Sequence, residues 1–216
     1  IKLFQKRNGF IENGMLDEST FYELNQPMSY KIKQIMINLE RLRWMPDTIP
    51  NNYLLVNIPD FKLHVYENGL EQWNLKVVVG KQATATNIFM GILSMVVFSP
   101  FWNIPSSIII NELIPKIKRN KNYLSQNNME ILKNGKRVSG SSIQWSNYKK
   151  SFPYTIRQKP GKNNALGQVK FVFPNHFNIY LHDTPAKELF NQTTRAFSHT
   201  LFPYTTLFRS GSEERR

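Results

Sequence analysis

The stretch "YLHDTPAKELFNQTTRAFSHT", Tyr180 to Thr200, carries two histidines, His182 and His199, in a chain of 216 residues that has no cysteine. His182 closes an alternating segment and stands immediately before Asp183-Thr184-Pro185. An imidazole titrates near neutral pH, so a histidine fixed at a strand end can act as a general base, most usefully for a thiol. A lone strand-end histidine is more often structural. That reading also covers His176 and His64, the latter alternating with Leu63 and Val65 as a surface or edge residue of a strand. No Gly-x-Ser-x-Gly elbow supports a Ser-His-Asp arrangement. A metal centre of His182, Asp183 and His199 lacks the helical H-x-x-x-H or HExxH spacing, so neither metal nor cofactor is expected.

The elements that must hold these residues follow from the change of hydrophobic period along the chain. "YTIRQKPGKNNALGQVKFVFPNHFNIYLHD" has strand character around Lys170 to Phe173 and Ile179 to His182, with close turns at Gly161 and Gly167. Upstream, "YLLVNIPDFKLHVYENGLEQWNLKVVVGK" reads as strand, strand, a turn at Asn68-Gly69, and strand. "MVVFSPFWNIPSSIIINELIPKIKRN" adds a strand, a Pro-marked aromatic turn and a short helix near Ile109 to Lys118. Residues 119 to 150 are rich in Asn, Lys and Ser and read as a long excursion, better explained as a lid or covering subdomain than as random coil.

The front of the chain is helical. "FQKRNGFIENGMLDESTFYELN" has turn signals at Asn8-Gly9 and Asn13-Gly14, then a helical pattern whose Leu16, Phe21 and Leu24 are expected to pack with Phe4 and Phe10. A second helix follows Pro27, with Ser29 as its expected N-cap. Its stripe of Ile32, Ile35, Met36, Leu39 and Leu42 is read as a packing face that ends before Pro46.

Composition narrows the class. A 41% hydrophobic and 13% aromatic chain of this length can build one well-packed domain and a smaller piece. Without cysteine there is neither a disulfide framework nor a thiolate metal site. No run of 18 apolar residues reads as a membrane span. The chain begins at Ile1 with no basic-then-apolar leader, which reads as a start inside a longer protein. The net charge of +13 attracts polyanions of any kind. Its cations are scattered over KIK, KIKRN, KNGKR and YKK, and this pattern favours an envelope-facing basic surface over nucleic-acid binding.

Eight stretches in order, "NLERLRWMP", "LVNIPDFKLHVYE", "VVVGK", "FWNIPSSI", "NELIPK", "YTIRQKPGKNNALGQVKFVFPN", "IYLHDTP" and "RAFSH", resemble the catalytic domain of the YcbB-type L,D-transpeptidases of bacterial cell walls. Residues 1 to 26 resemble the last part of that family's peptidoglycan-binding domain. The resemblance implies a mainly β fold with helices: a YkuD-like β-sandwich catalytic domain with an inserted capping subdomain, preceded by the end of a small helical domain. It divides the chain into a peptidoglycan-binding remnant at 1–26, a linker helix and lead-in at 27–52, and an incomplete catalytic domain at 53–199 with a capping segment at about 119–150.

The family's hallmark is a histidine, about fifteen residues, then Ser-His-Gly-Cys. His182, Ser198 and His199 fit it, with fifteen residues between His182 and Ser198, but Thr200 and Leu201 stand where Gly and Cys belong. "TLFPYTTLFRS" resembles a translated sequencing adapter and "SEERR" a translation of its reverse complement, so 200–216 reads as a non-native tail. The resemblance implies a parent that joins peptidoglycan stem peptides, a tetrapeptide donor and an acceptor, through a cysteine thioester in the periplasm or cell envelope. An intact parent is also expected to be acylated by β-lactams or carbapenems, while the chain as written is expected to be inactive. His182 is implied as the base, oriented by the backbone carbonyl of Asp183, with His199 shaping the pocket beside Ser198. Tyr180, Trp102 and Arg195 either line the donor cleft or support it. The alternative is a cysteine-free homologue that binds peptidoglycan without catalysis.

Overall fold

The computed structural model describes residues 1–81, 87–198 and 202–203. The chain divides into two compact units, Ile1–Val77 with Phe190–Arg195, and Val78–Leu189 with the residues from Ala196 onward. Strands and short helices make up both, in keeping with a mainly β protein carrying helices.

The first unit opens with α1 (Lys2–Arg7), α2 (Glu18–Leu24) and α3 (Met28–Leu42). Two such short helices bury little apolar surface, and a polar side chain joins them instead. Gln5, 0% exposed, donates from Nε2 to Asn13 Oδ1 at 2.8 Å, the Met15 carbonyl at 2.9 Å and Thr20 Oγ1 at 3.2 Å. Its Oε1 accepts from the Gly14 N–H at 2.8 Å, so both ends of the buried amide are satisfied. Asp17 caps α2 by accepting from the Thr20 N–H at 2.8 Å. The expected apolar packing of this segment is thereby corrected, because Leu16, Phe21 and Leu24 are all exposed.

Two expectations for α3 also change. Its N-cap is Pro27, with Ser29 already inside the first turn. Ile32, Ile35, Met36, Leu39 and Leu42 are 52% to 63% exposed, so the stripe is not buried against the described residues.

Strands β1 (Tyr53–Asn57), β2 (Lys62–Glu67) and β3 (Leu70–Gly80) follow as an antiparallel meander. Asn68 and Gly69, at φ 54° and 77°, form the left-handed turn that their sequence advertises. His64 lies on the middle strand of these three, its Nδ1 3.0 Å from Glu71 Oε1, and is therefore not an edge residue.

The second unit contains two sheets that bear on the site. β4 (Met95–Phe98), β9 (Val169–Val172) and β10 (Leu181–His182) form an antiparallel sheet in the order β10-β9-β4. β5 (Trp102–Asn103), β6 (Met129–Lys133), β7 (Lys136–Val138) and β8 (Thr155–Gln158) form the other, in the order β5-β8-β6-β7. Against it runs a helical segment of α4 (Ser106–Ile108), a π turn (Ile109–Leu113) and α5 (Ile114–Arg119). The Ile114 N–H reaches back to the Ile109 carbonyl, and Pro115 then has no N–H to offer. Ile104, Ile109, Leu113, Ile114, Ile117, Ile131, Ile143 and Ile156 close the core between them.

The region at 119–150 is ordered, with α6 (Tyr123–Gln126) and the β6–β7 hairpin, but it does not stand apart. β6 needs β8 on its other side to bury Ile131, so the substructure draws in residues 102–119 and 155–158 as well. Finally, β11 (Ala196–Ser198) runs parallel to the end of β3, pairing Ala196 with Val79 and Ser198 with Gly80. Within the tail at 200–216, the described residues are Phe202–Pro203, a short strand β12 also beside β3.

Candidate active site

His182 ends β10, opposite Lys170 of β9, and is 4% exposed. Its Nδ1 lies 2.5 Å from the Asp183 carbonyl oxygen. A carbonyl can only accept, so Nδ1 carries the proton and the lone pair is left on Nε2. That is the tautomer a general base needs. Burial pulls the imidazole pKa down to about 4, opposed by the Asp183 carbonyl and carboxylate and reinforced by the Lys170 charge. The ring is therefore neutral at neutral pH.

Asp183 splits its work between backbone and side chain. Its N–H donates to the Val169 carbonyl at 2.9 Å, which continues the β9–β10 ladder past His182. The carboxylate has partners of its own: Oδ2 accepts from the Gln168 N–H at 3.0 Å, and Oδ1 pairs with the Lys187 ammonium. Gly167 sits directly against it at φ 59°, where an added Cβ would lie 2.4 Å from Asp183 Cγ. Only glycine fits both that conformation and that gap. The carbonyl that orients His182 is thus held by a strand ladder on one side and by a carboxylate clamp on the other.

Upstream of the clamp, buried Asn164 donates from Nδ2 to the carbonyls of Pro100 at 3.1 Å and Lys159 at 2.9 Å. Gln158 of β8 accepts from the Ala165 N–H at 2.9 Å and donates to the Asn163 carbonyl at 3.0 Å. The turn between β8 and β9 is therefore fixed by amide side chains, and β8 and the His182 sheet are tied through it.

Tyr180 precedes β10, its ring centroid 5.6 Å from that of His182. Burial raises the pKa of the Tyr180 hydroxyl, and the neighbouring Trp102 side chain acts in the opposite sense. Lys170 Nζ lies 3.8 Å from the Tyr180 ring centroid. The structure thus gathers His182, Asp183, Tyr180 and Trp102 in one place and adds Lys170 and Lys187, which the sequence reading did not single out, and Gly167, which it marked only as a close turn. Alternation along β9 sets Lys170 on the face opposite buried Val169 and Phe171, but only the pairing with β10 identifies that face as the one His182 shares.

Arg195 belongs to the first unit. Its guanidinium donates to the carbonyls of Val77 at 3.1 Å, Gln192 at 2.8 Å and Phe61 at 3.0 Å, which makes it a clamp on backbone. Ser198 is placed by its backbone on β11, and His199 lies outside the described residues. Among the described residues no cluster of three His, Cys, Asp or Glu is placed to hold a metal, and no helix is long and apolar enough to cross a membrane.

Among the described residues the geometry supplies a buried imidazole with Nδ1 committed to a backbone carbonyl, in a chain without cysteine. Residues 51–200 match the YkuD family, the L,D-transpeptidase catalytic domain. A Haemophilus influenzae protein provisionally named an L,D-transpeptidase is 41% identical over 167 residues, covering 77% of this chain and 34% of that protein. The chain thus spans about a third of the length of the curated relative it matches. The match over most of its length places the chain in the YkuD family of L,D-transpeptidases.

Proposed function

We propose that the parent of this chain cross-links peptidoglycan by acyl transfer through a cysteine, as a YcbB-type enzyme, and that the chain as written has lost the step for want of the thiol. The observation that carries the reading is His182, with Nδ1 committed to the Asp183 carbonyl and Nε2 left as the basic nitrogen. Such a base has a use beside a thiol, and the chain has no cysteine.

In the parent, Nε2 takes the proton of a cysteine at the position of Leu201, and the thiolate attacks the carbonyl at the L-centre of meso-diaminopimelate in a tetrapeptide stem. The carbon–nitrogen bond to the terminal D-alanine breaks, and its nitrogen leaves with the proton that His182 returns. The thioester then accepts the side-chain amine of a second stem. That amine gives its proton to His182, the carbon–sulfur bond breaks, and a 3→3 cross-link and free thiol remain. Backbone N–H groups around a Gly-Cys pair at 200–201 stabilise the oxyanion, with Ser198 and His199 shaping that loop. Tyr180 and Trp102 line or brace the donor cleft.

Peptidoglycan places this work in the periplasm or cell envelope, and the same thiol is the group that β-lactams or carbapenems acylate. Residues 1–26 are the end of a wall-binding domain, 27–52 a linker and 53–199 the catalytic domain, with 200–216 foreign to it. A cysteine-free binding homologue is the second reading, favoured by Thr200 and Leu201 themselves; a genomic locus that continues into Gly-Cys after His199 excludes it.

The test compares two chains on tetrapeptide-bearing muropeptides. The chain as written should give no cross-linked dimer and no acyl-enzyme mass. A chain with residues 200–216 replaced by Gly-Cys and a family-type continuation should give both. Cross-linking by the first, or a repaired and folded second chain that never acylates, overturns the reading.

A further inference from the structure

Lys170 is a group that the reaction described above leaves unused. It lies on the middle strand of the β10-β9-β4 sheet, paired with His182 on one side and Val97 on the other. Cross-strand partners stand about 5 Å apart on one face of a sheet, so its side chain shares the catalytic face. The ammonium rests on the Tyr180 ring, 3.8 Å from its centroid, and that ring stands beside the His182 imidazole, centroids 5.6 Å apart. No carboxylate pairs with Lys170 and no carbonyl accepts from its Nζ among the described residues. A half-buried cation positioned by an aromatic face, beside the base and without an anion, is an arrangement that an anionic substrate group completes.

We propose that Lys170 is the carboxylate receptor of the donor subsite, taking the free α-carboxylate of the terminal D-amino acid that leaves when the donor is acylated. The inference rests on the transpeptidase reading and deepens it. The chemistry fixes the distance. In the leaving residue the carboxylate carbon is two bonds from the nitrogen that His182 must protonate, so the groups serving the two atoms must be near neighbours. His182 and Lys170 are cross-strand partners. Burial also lowers the Lys170 pKa, so its charge is costly until an anion arrives.

A second consequence follows from the same contact. The Lys170 charge helps to depress the His182 pKa, and a bound carboxylate cancels that charge. Donor binding therefore makes His182 a stronger base at the moment it is needed, and donors with a free terminal carboxylate are selected over those in which it is blocked.

The experiment titrates the 216-residue chain with the tetrapeptide L-Ala-γ-D-Glu-meso-diaminopimelate-D-Ala and with the same peptide as its terminal carboxamide. Heat of binding and the His182 ring resonances are followed, and the series is repeated with Lys170→Met and Lys170→Arg at matched circular dichroism. The free acid should bind about 10-fold more tightly than the amide, the usual weight of one charge-assisted hydrogen bond. It should also move the His182 titration to higher pH. Lys170→Met should bind both peptides as the parent chain binds the amide and show no such movement; Lys170→Arg should recover part of the preference. An undiminished preference for the acid in Lys170→Met, or no preference in the parent chain, overturns the role of Lys170 and leaves the transpeptidase reading standing. Failure of both the parent chain and a Gly-Cys-restored chain to bind either peptide removes that reading and this inference together.

Discussion

A single hydrogen bond decides what His182 can do, because the carbonyl of Asp183 fixes which ring nitrogen is basic. Burial makes that nitrogen a weak base in isolation, with a pKa of about 4. A thiolate within 4–6 Å favours the protonated ring, so a cysteine-bearing parent gains a base strength that this chain does not display. Changing His182 to Ala in the Gly-Cys-restored chain should cut acylation and cross-linking by roughly 10²- to 10⁴-fold per folded molecule, the usual share of a general base. Intact mass gives the acyl-enzyme rate; a rate close to the unsubstituted chain would pass the role of base to His199. His182 was legible in the sequence because a histidine closing an alternating run is a strand-end residue in almost any fold. Lys170 was not, since a lysine in a strand reads as a solvated face until its cross-strand partner is known.

At the scale of elements, the turn before β9 does the positioning, and Gly167 is its test. Gly69 and Gly167 both adopt positive φ, 77° and 59°, but a Cβ on Gly69 meets nothing within 4 Å whereas one on Gly167 would strike the Asp183 side chain. Gly69→Ala should therefore lose only the conformational term, about 1 kcal/mol. Gly167→Ala should lose more, roughly 2–4 kcal/mol with the overlap and the disturbed clamp added. Urea midpoints measure both, and equal losses would mean that the Asp183 clamp yields freely. The β1–β2–β3 meander, the β9 and β10 strands and the helix near 109–118 were all visible as changes of period. Other features depend on partners that periodicity does not encode. The Gln5 amide replaces an apolar cluster, and its four bonds go to three loop residues, Asn13, Gly14 and Met15, and to Thr20 of α2, partners that no period along the chain announces. The substructure around 119–150 spreads to 102–158 because β6 pairs with β8, a strand outside the compositionally distinct segment.

Over the whole molecule the excess positive charge is partly structural. Arg157, Arg137 and Lys159 surround the buried carboxylate of Glu130, and their attraction outweighs its burial and holds its pKa below the usual glutamate value. Glu130 and His182 then act on stability in different pH windows. Glu130 has a depressed folded pKa, so its contribution is complete above the unfolded value near 4.5 and fades as pH falls through the lower folded one. His182 is also depressed, from 6.5 to about 4, so above 6.5 it is neutral in both states and its environment is not penalised. Between 6.5 and 4 the unfolded chain binds a proton that the folded chain refuses, and stability falls as pH falls. The ring is buried and little screened by solvent, and the shift corresponds to a loss on the order of 3 kcal/mol by the lower end of the window. His182→Asn keeps a donor where Nδ1 stands and removes the titration. Denaturation curves of the two chains at constant ionic strength should keep a fixed separation above pH 6.5. From there to pH 4 the parent chain should lose about 3 kcal/mol more than the variant, after which both decline together as Glu130 and the other carboxylates protonate. Curves that stay parallel from pH 7 to 4 would place His182 in a solvated, ordinarily titrating site and remove the physical basis for its neutral, preoriented ring.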